Sequence, residues 1–148
     1  MRKRAITSQL RYHRRRPGRN GPALPTTRMA AVFAGGILGS ALRTVTGELI
    51  TASPGRWPLA TLTVNLTGAL VLGTYLTRRQ RAVTRLWSLH LWAIGMLGSL
   101  TTFSAFSVEV FDLFRGRHVL TACGYAAVST FGGLAAAFAG GRLARDIS

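Results

Sequence analysis

The stretch from Leu86 to Phe114, LWSLHLWAIGMLGSLTTFSAFSVEVFDLF, carries the strongest indication of the fold. It is long and apolar enough to cross a bilayer as a helix, which takes roughly 20 apolar residues. Gly95, Gly98 and the pair Thr101 and Thr102 interrupt it at its centre, so we expect the helix to break there. Unwound backbone at membrane depth must be buried in protein or line a cavity, and its freed carbonyls suit a hard cation such as sodium. A packed Gly/Thr patch with intact helical bonding is the alternative.

Three further apolar segments accompany this one, from about residue 29 to 50, from 58 to 76 and from 119 to 140. Proline, glycine and arginine residues separate the segments, as is typical of connections between helices. The pattern predicts an all-α integral membrane protein with four transmembrane helices, the third broken at its centre.

Charge is strongly segregated along the chain. The protein has 148 residues, 48% of them hydrophobic, with 19 Lys and Arg against 4 Asp and Glu, a mixture that is unusual for a soluble domain. Nine of the basic residues lie within 1–28, which has too few apolar side chains to fold alone. We predict a disordered basic tail at 1–28 that contacts anionic lipid or stays solvated, a membrane domain at 29–143 and a short C-terminal tail at 144–148. No nucleic acid partner is expected.

The basic residues also predict an orientation. Four spans place both termini and the loop between the second and third helices on one side of the membrane. That side collects fifteen Lys and Arg, whereas the other side has three, Arg56, Arg115 and Arg117. Because cytoplasmic loops carry the excess of basic residues, we expect a multi-pass protein of the cell membrane with both termini in the cytoplasm.

Enzymatic activity is disfavoured by the scarcity of ionisable groups within the spans, since no acid, base and nucleophile can be assembled there. Cys123 is the only cysteine, so it forms no intrachain disulfide. The three histidines lie in different regions without a second ligand at metal spacing, which gives no support for a transition-metal site.

Three motifs, in order along the chain, resemble those of the Fluc/CrcB fluoride channel family. GSLTTFSAFSVE, from Gly98 to Glu109, is similar to the family's GGxTTFSTFSxE in the third helix. GGILGSALR, from Gly35 to Arg43, is similar to GGxxGxxxR in the first helix, and LATLTVNLTG, which begins at Leu59, is similar to GTLxxNxxG in the second. The resemblance covers about 29 to 143. It implies a channel that exports fluoride passively and so reduces fluoride toxicity in the cytoplasm.

The resemblance also implies a dimer of antiparallel subunits with two fluoride pores and a structural sodium ion, which is not transported. Sodium would be held by the backbone carbonyls of Gly98 and Thr101. The residues that match fluoride-pore positions are Asn65, Phe103, Phe106, Tyr125, Ser129 and Arg43. An amide and hydroxyls can donate to fluoride, the edge of a phenyl ring is positive, and an arginine attracts anions toward a mouth. Core packing, interhelical hydrogen bonds and snorkelling are the ordinary alternatives for these side chains.

The chain departs from the family pattern at four positions. Ser99 replaces a glycine and Ala105 replaces a threonine. In the fourth helix, Tyr125 and Ser129 match the start of the family's hydroxyl track, a row of hydroxyl groups along the pore, but the next positions of the track, Gly133 and Ala137, carry no donor. An antiparallel homodimer also requires insertion in both orientations, which the charge bias opposes. The sequence therefore leaves open an antiparallel homodimer or a heterodimer with a second, oppositely oriented family member.

Two other functions remain as alternatives. A small multidrug-type proton-coupled transporter needs a carboxylate deep in the first helix, whereas Glu48 lies at its far end and Glu109 follows the break in the third helix. A non-transporting membrane scaffold would use the basic tail as its working part. Deleting residues 1–28 would leave transport by a channel intact but would remove the partner of such a scaffold.

Overall fold

The computed structural model describes residues 26–81 and 86–146, and within them the chain is helical, with short connections and no strand. The helices are α1 (Thr26–Leu49), α2 (Leu59–Arg81), α3 (86–100), α4 (Phe103–Arg115) and α5 (Val119–Asp146). Four stretches are long and apolar enough to cross a membrane: Thr26–Leu49, Leu59–Gln80, Leu86–Arg115 and Val119–Asp146. The third stretch comprises α3 and α4. The prediction of an all-α, four-span, multi-pass membrane protein is confirmed.

Helix ends differ from the sequence boundaries by a few residues. α1 begins at Thr26, three residues before the expected start of the membrane domain, and α5 continues to Asp146. α2 continues to Arg81, five residues past its apolar segment. Hydropathy marks where a helix leaves the bilayer, and arginine is a good helix former, so the helix extends into the polar region. The rest of the predicted tail, residues 1–25, lies outside the described residues.

α3 contains a π-helical segment that the sequence did not predict. An α-helical turn, Leu86–Leu89, leads into the π-helix His90–Leu97 and a second short turn, Gly98–Leu100. α1 packs directly on this segment. A Cβ at Gly35 would collide with the carbonyl oxygen of Leu91, and a Cβ at Gly39 with that of Met96. Small residues at this spacing let membrane helices approach to backbone contact.

α2 and α5 form the second close pair. Gly73 packs against the carbonyl of Ala137, and Thr74 Oγ1 donates to the carbonyl of Gly140 at 3.1 Å. The buried cluster lies between α2, α4 and α5 and consists of Leu62, Leu113, Ala122 and Tyr125. The polar groups described next lie around this cluster.

Candidate functional site

The third span breaks between α3 and α4, where Thr101 (ψ 147°) and Thr102 (φ −144°, ψ 124°) are extended. The side chain of Asn65, on α2, forms two hydrogen bonds with the backbone of Thr102. Its Nδ2 donates to the Thr102 carbonyl at 3.0 Å, and its Oδ1 accepts from the Thr102 N–H at 2.8 Å. The predicted break is therefore found at the threonine pair, whereas Gly95 lies in the π-helix and Gly98 stays helical.

The break removes the helical partners of two carbonyl groups. In an α-helix each carbonyl accepts from the N–H four residues later. The donors that would pair with Gly98 and Thr101 are the N–H groups of Thr102 and Ala105. The first donates to Asn65, and the second donates to Thr102 Oγ1 at 3.2 Å. The carbonyls of Gly98 and Thr101 thus lack their α-helical donors.

Four aromatic rings form a continuous row beside the break. Ring centroids are 5.8 Å apart between Phe103 and Phe106, 5.5 Å between Phe106 and Tyr125, and 6.5 Å between Tyr125 and Trp57. The planes are tilted by 43° to 49°, so edges as well as faces are presented along the row. Phe103 is 81% exposed and Tyr125 is fully buried. The row therefore runs from the exposed Phe103 through the buried Tyr125 to the half-buried Trp57.

A layer of three hydrogen-bonded side chains connects α2, α4 and α5. Thr61 Oγ1 donates to Glu109 Oε1 at 2.5 Å, and the Tyr125 hydroxyl donates to Glu109 Oε2 at 2.6 Å. Both carboxylate oxygens therefore accept a hydrogen bond, as a partly buried polar group within an apolar span requires. We call these residues the Thr61–Glu109–Tyr125 layer. The sequence analysis did not identify Thr61 and gave Glu109 no role, although a carboxylate within an apolar span is itself an indication of function.

A cavity of about 470 Å³ opens between the break and α5; we call it the break cavity. Its polar lining residues are Asn65, Thr101, Thr102, Ser129 and Thr130. Ser129 Oγ is buried beside the Tyr125 hydroxyl, and within the described part of the chain it makes no hydrogen bond of good geometry. Because an unpaired buried hydroxyl is costly, this group is available to a ligand that accepts a hydrogen bond.

A family model described as "CrcB-like protein, Camphor Resistance (CrcB)" matches residues 30–141, which include most of all four spans. The chain belongs to the CrcB-like family. This confirms the family resemblance that the three sequence motifs indicated.

Several relatives of this CrcB-like protein carry fluoride-channel names. "Fluoride-specific ion channel FluC 1" of Mycolicibacterium paratuberculosis is 38% identical over 120 residues, covering 80% of this chain and 91% of the relative. "Fluoride-specific ion channel FluC" of Pseudomonas fluorescens is 43% identical over 115 residues, covering 74% and 90%. "Fluoride-specific ion channel FluC 1" of Mycobacterium tuberculosis is 39% identical over 109 residues, covering 73% and 83%. These names describe ion channels and not enzymes, as the sequence analysis expected.

The break cavity brings together most of the residues that the family resemblance selected. Those that line it are Asn65, Gly98, Thr101, Phe103, Phe106 and Ser129. Tyr125 lies one step further along the row, in the Thr61–Glu109–Tyr125 layer. Arg43 is half-buried on α1 and is not among the lining residues.

The two donor-free positions of α5 differ from each other. The carbonyl of Ala137 packs against Gly73 of α2, in a close helix contact. A Cβ added at Gly133, in contrast, would meet no atom within 4 Å. Gly133 therefore has room for a larger side chain, whereas Ala137 belongs to the α2–α5 packing.

Among residues 26–81 and 86–146, no group of three His, Cys, Asp or Glu side chains is arranged to hold a metal ion.

Proposed function

We propose that this protein is a fluoride-selective ion channel that exports fluoride passively across the cell membrane and so lowers fluoride toxicity in the cytoplasm. One observation carries the proposal. The break cavity combines a buried, unpaired hydroxyl at Ser129 with the amide of Asn65 and the tilted rings of Phe103 and Phe106. The names of the relatives support the same ion.

The donors in the break cavity suit a small anion that accepts hydrogen bonds strongly. An asparagine amide has two N–H donors, and Asn65 uses one of them on the Thr102 carbonyl, which leaves the second for an anion. Ser129 contributes a hydroxyl, and the ring edges of Phe103 and Phe106 contribute weakly positive surfaces. A few fixed donors in a narrow, mostly apolar path replace part of the hydration shell, which favours fluoride over chloride.

The direction of transport follows from acid–base chemistry. In an acidic environment fluoride enters the cell as its neutral acid and dissociates, and the anion then leaves through the channel down its electrochemical gradient. Neither a nucleotide nor a redox cofactor is required. Arg43, on α1, would attract anions toward one mouth of the path, and the basic tail would contact anionic lipid.

A structural sodium ion is the second part of the proposal. The carbonyls of Gly98 and Thr101 would hold it, because the donors that would otherwise occupy them are engaged by Asn65 and by Thr102 Oγ1. Unwound backbone within a transmembrane segment commonly supplies such ligands. Two oxygens do not complete the coordination of a hard cation, so a second subunit would supply the others.

A dimer of antiparallel subunits is the third part. Phe103 is 81% exposed although it lines the break cavity, so a second subunit would cover it and complete the path. The partner is either another copy of this chain or a second family member. The fifteen-to-three distribution of basic residues favours one fixed orientation, and hence a heterodimer whose partner supplies the missing hydroxyls.

Fluoride efflux from liposomes, recorded with a fluoride electrode, tests these proposals. The purified chain is reconstituted alone and then with its nearest encoded homologue, with chloride efflux as the control. Fluoride efflux from the chain alone, with termini found on both sides, would establish an antiparallel homodimer and refute the pairing with a homologue. Efflux only with the homologue is the result we expect. Absence of fluoride efflux in both preparations would refute the channel function.

A further inference from the structure

A second cavity, of about 550 Å³, lies where the 50–58 loop meets the beginning of α5; we call it the loop cavity. Its polar lining residues are Thr51, Ser53, Arg56 and Thr121, and Trp57 forms part of its wall. Gly55, with φ 77°, packs against the ring of His118, which places the 50–58 loop beside the connection between α4 and α5. Arg56 supplies a positive charge that attracts anions of any size.

The loop cavity and the break cavity lie in sequence along two helices. On α5, Thr121 lines the loop cavity, Tyr125 belongs to the Thr61–Glu109–Tyr125 layer, and Ser129 lines the break cavity. On α2 the same order holds for Leu59, Thr61 and Asn65. Residues four apart lie on one face of a helix, which holds for all three positions on α5 and for Thr61 and Asn65 on α2. The order along both helices therefore places the layer between the two cavities.

Trp57 covers this layer on the side of the loop cavity. It is half-buried, and its ring packs on that of the fully buried Tyr125. Gly124 provides the space for the indole, since a Cβ there would lie only 3.2 Å from Trp57 Cζ2. Pro58 follows immediately and restricts the backbone that carries the ring.

We propose that Trp57 is a selectivity-determining residue, whose ring closes the layer toward the loop cavity and excludes anions larger than fluoride. The inference rests on the channel function proposed above. Arg56 gathers anions in the loop cavity without discriminating by size, and discrimination takes place where the rings of Trp57 and Tyr125 meet. An indole held in this position would narrow the opening beside Tyr125, so that fluoride passes and the larger chloride does not.

Parallel fluoride and chloride efflux from liposomes tests the role of Trp57 in the conducting assembly. We expect Trp57→Ala to raise the ratio of chloride efflux to fluoride efflux by about tenfold or more, equivalent to a difference between the two barriers that is smaller by about 1.4 kcal/mol. Trp57→Phe should raise this ratio less. Trp87→Ala, which removes an exposed indole that lines neither cavity, is the matched control and should leave both fluxes unchanged.

Gly124→Ala is a second variant, which changes the position of the Trp57 indole while Trp57 and Tyr125 are both retained. Its added Cβ would displace the indole of Trp57, and we expect a smaller rise in chloride efflux. If folded Trp57→Ala and Gly124→Ala proteins both exclude chloride as well as the wild type, or lose fluoride efflux without gaining chloride efflux, the ring is a packing residue only and the inference is wrong.

Iodide quenching of Trp57 fluorescence tests the loop cavity without any transport measurement. In a chain with Trp87→Phe and Trp92→Phe, Trp57 is the only indole. We expect iodide to quench it, and Arg56→Gln to reduce the quenching constant by about half, since the local anion concentration falls. An indole that iodide does not reach, or that Arg56→Gln does not affect, would refute an anion-collecting cavity next to Trp57. Wild-type fluoride efflux tests the channel function separately, so the two failures are distinguishable.

Discussion

The two halves of the third span pack in different ways. Its first half, the π-helix of α3, lies against α1 with backbone on backbone, as the collisions expected for a side chain at Gly35 and Gly39 indicate. Its second half, α4, meets α2 and α5 through side chains, with Glu109 hydrogen-bonded to both helices and the ring of Phe106 packed at a tilt against that of Tyr125. The first contact brings the backbones of the two helices together at the glycines. The second contact is made by side chains, and it contains the polar layer and the part of the break cavity that Phe103 and Phe106 line.

The largest effect is expected from adding a side chain to the glycine contact. In an exposed helix, Gly→Ala stabilises by about 1 kcal/mol. At Gly39 the added Cβ would overlap the Met96 carbonyl oxygen and lie 2.9 Å from the Leu100 backbone nitrogen, so the helices must separate. We expect Gly39→Ala to lower stability by about 1–3 kcal/mol, the usual cost of overpacking, and Gly39→Leu to abolish folding. The measurement is the thermal midpoint of the purified protein in detergent, with monodispersity as a second readout.

Gly47→Ala is the matched control for that experiment. It lies in the same helix, and a Cβ there would meet no atom within 4 Å. The midpoint should stay the same or rise. If Gly39→Ala and Gly47→Ala proved equally stable, the backbone contact between α1 and α3 would be refuted.

The second largest effect, a loss of fluoride efflux, is expected at the break in the third span, where side chains make the contacts between helices. Asn65→Asp keeps an acceptor for the Thr102 N–H but loses the donor to the Thr102 carbonyl, and it places a negative charge beside the break cavity. We expect fluoride efflux to fall by about a hundredfold, corresponding to about 2.7 kcal/mol. Thr63→Ala, at an exposed position of the same helix, should conduct normally. Wild-type efflux from the aspartate variant would contradict the role of Asn65.

The difference between the two halves also explains why the break could be predicted from the sequence and the π-helix could not. Glycine and threonine both disfavour helix, so their cluster located the break to within a few residues. The π-helix His90–Leu97 has no such signal, because HLWAIGML is as apolar as an ordinary transmembrane turn and wider hydrogen bonding leaves no compositional mark. Backbone geometry of this kind depends on packing against α1.

The candidate site shows the same limit. The family resemblance selected Asn65, Phe106 and Ser129, and all three line one cavity. Thr61 was missed because its partner Glu109 is 48 residues away. A threonine in an apolar helix ordinarily bonds to its own backbone, as Thr67 does to the Thr63 carbonyl at 2.6 Å. Only the packing of α2 on α4 reveals that Thr61 donates to the Glu109 carboxylate and not to its own backbone.

A moderate effect, with opposite signs for stability and transport, is expected at Ser129. Its Oγ is buried and unpaired within the described residues, so Ser129→Ala removes an unsatisfied polar group. We expect the thermal midpoint to stay the same or rise, while fluoride efflux falls by about tenfold through loss of a donor worth about 1.4 kcal/mol. Ser107→Ala is a suitable control, because that hydroxyl is exposed and donates to its own helix at the Phe103 carbonyl. Unchanged efflux from the Ser129 variant would show that the hydroxyl does not contact fluoride.

The smallest effect, and the one that most sharpens the contrast between packing and path, is expected at the donor-free end of α5. Gly133 has open space around its Cβ position, whereas Ala137 lies in the contact with Gly73. Gly133→Ser would therefore add a hydroxyl one helical turn beyond Ser129 without a steric cost, and we expect fluoride efflux to rise by about twofold if the hydroxyl track continues there. Gly133→Ala, which adds the carbon but no donor, should leave efflux unchanged. A rise produced equally by both variants would mean that helix propensity and not the hydroxyl is responsible, and no rise with either would mean that the path leaves α5 at Ser129 and continues on the partner subunit.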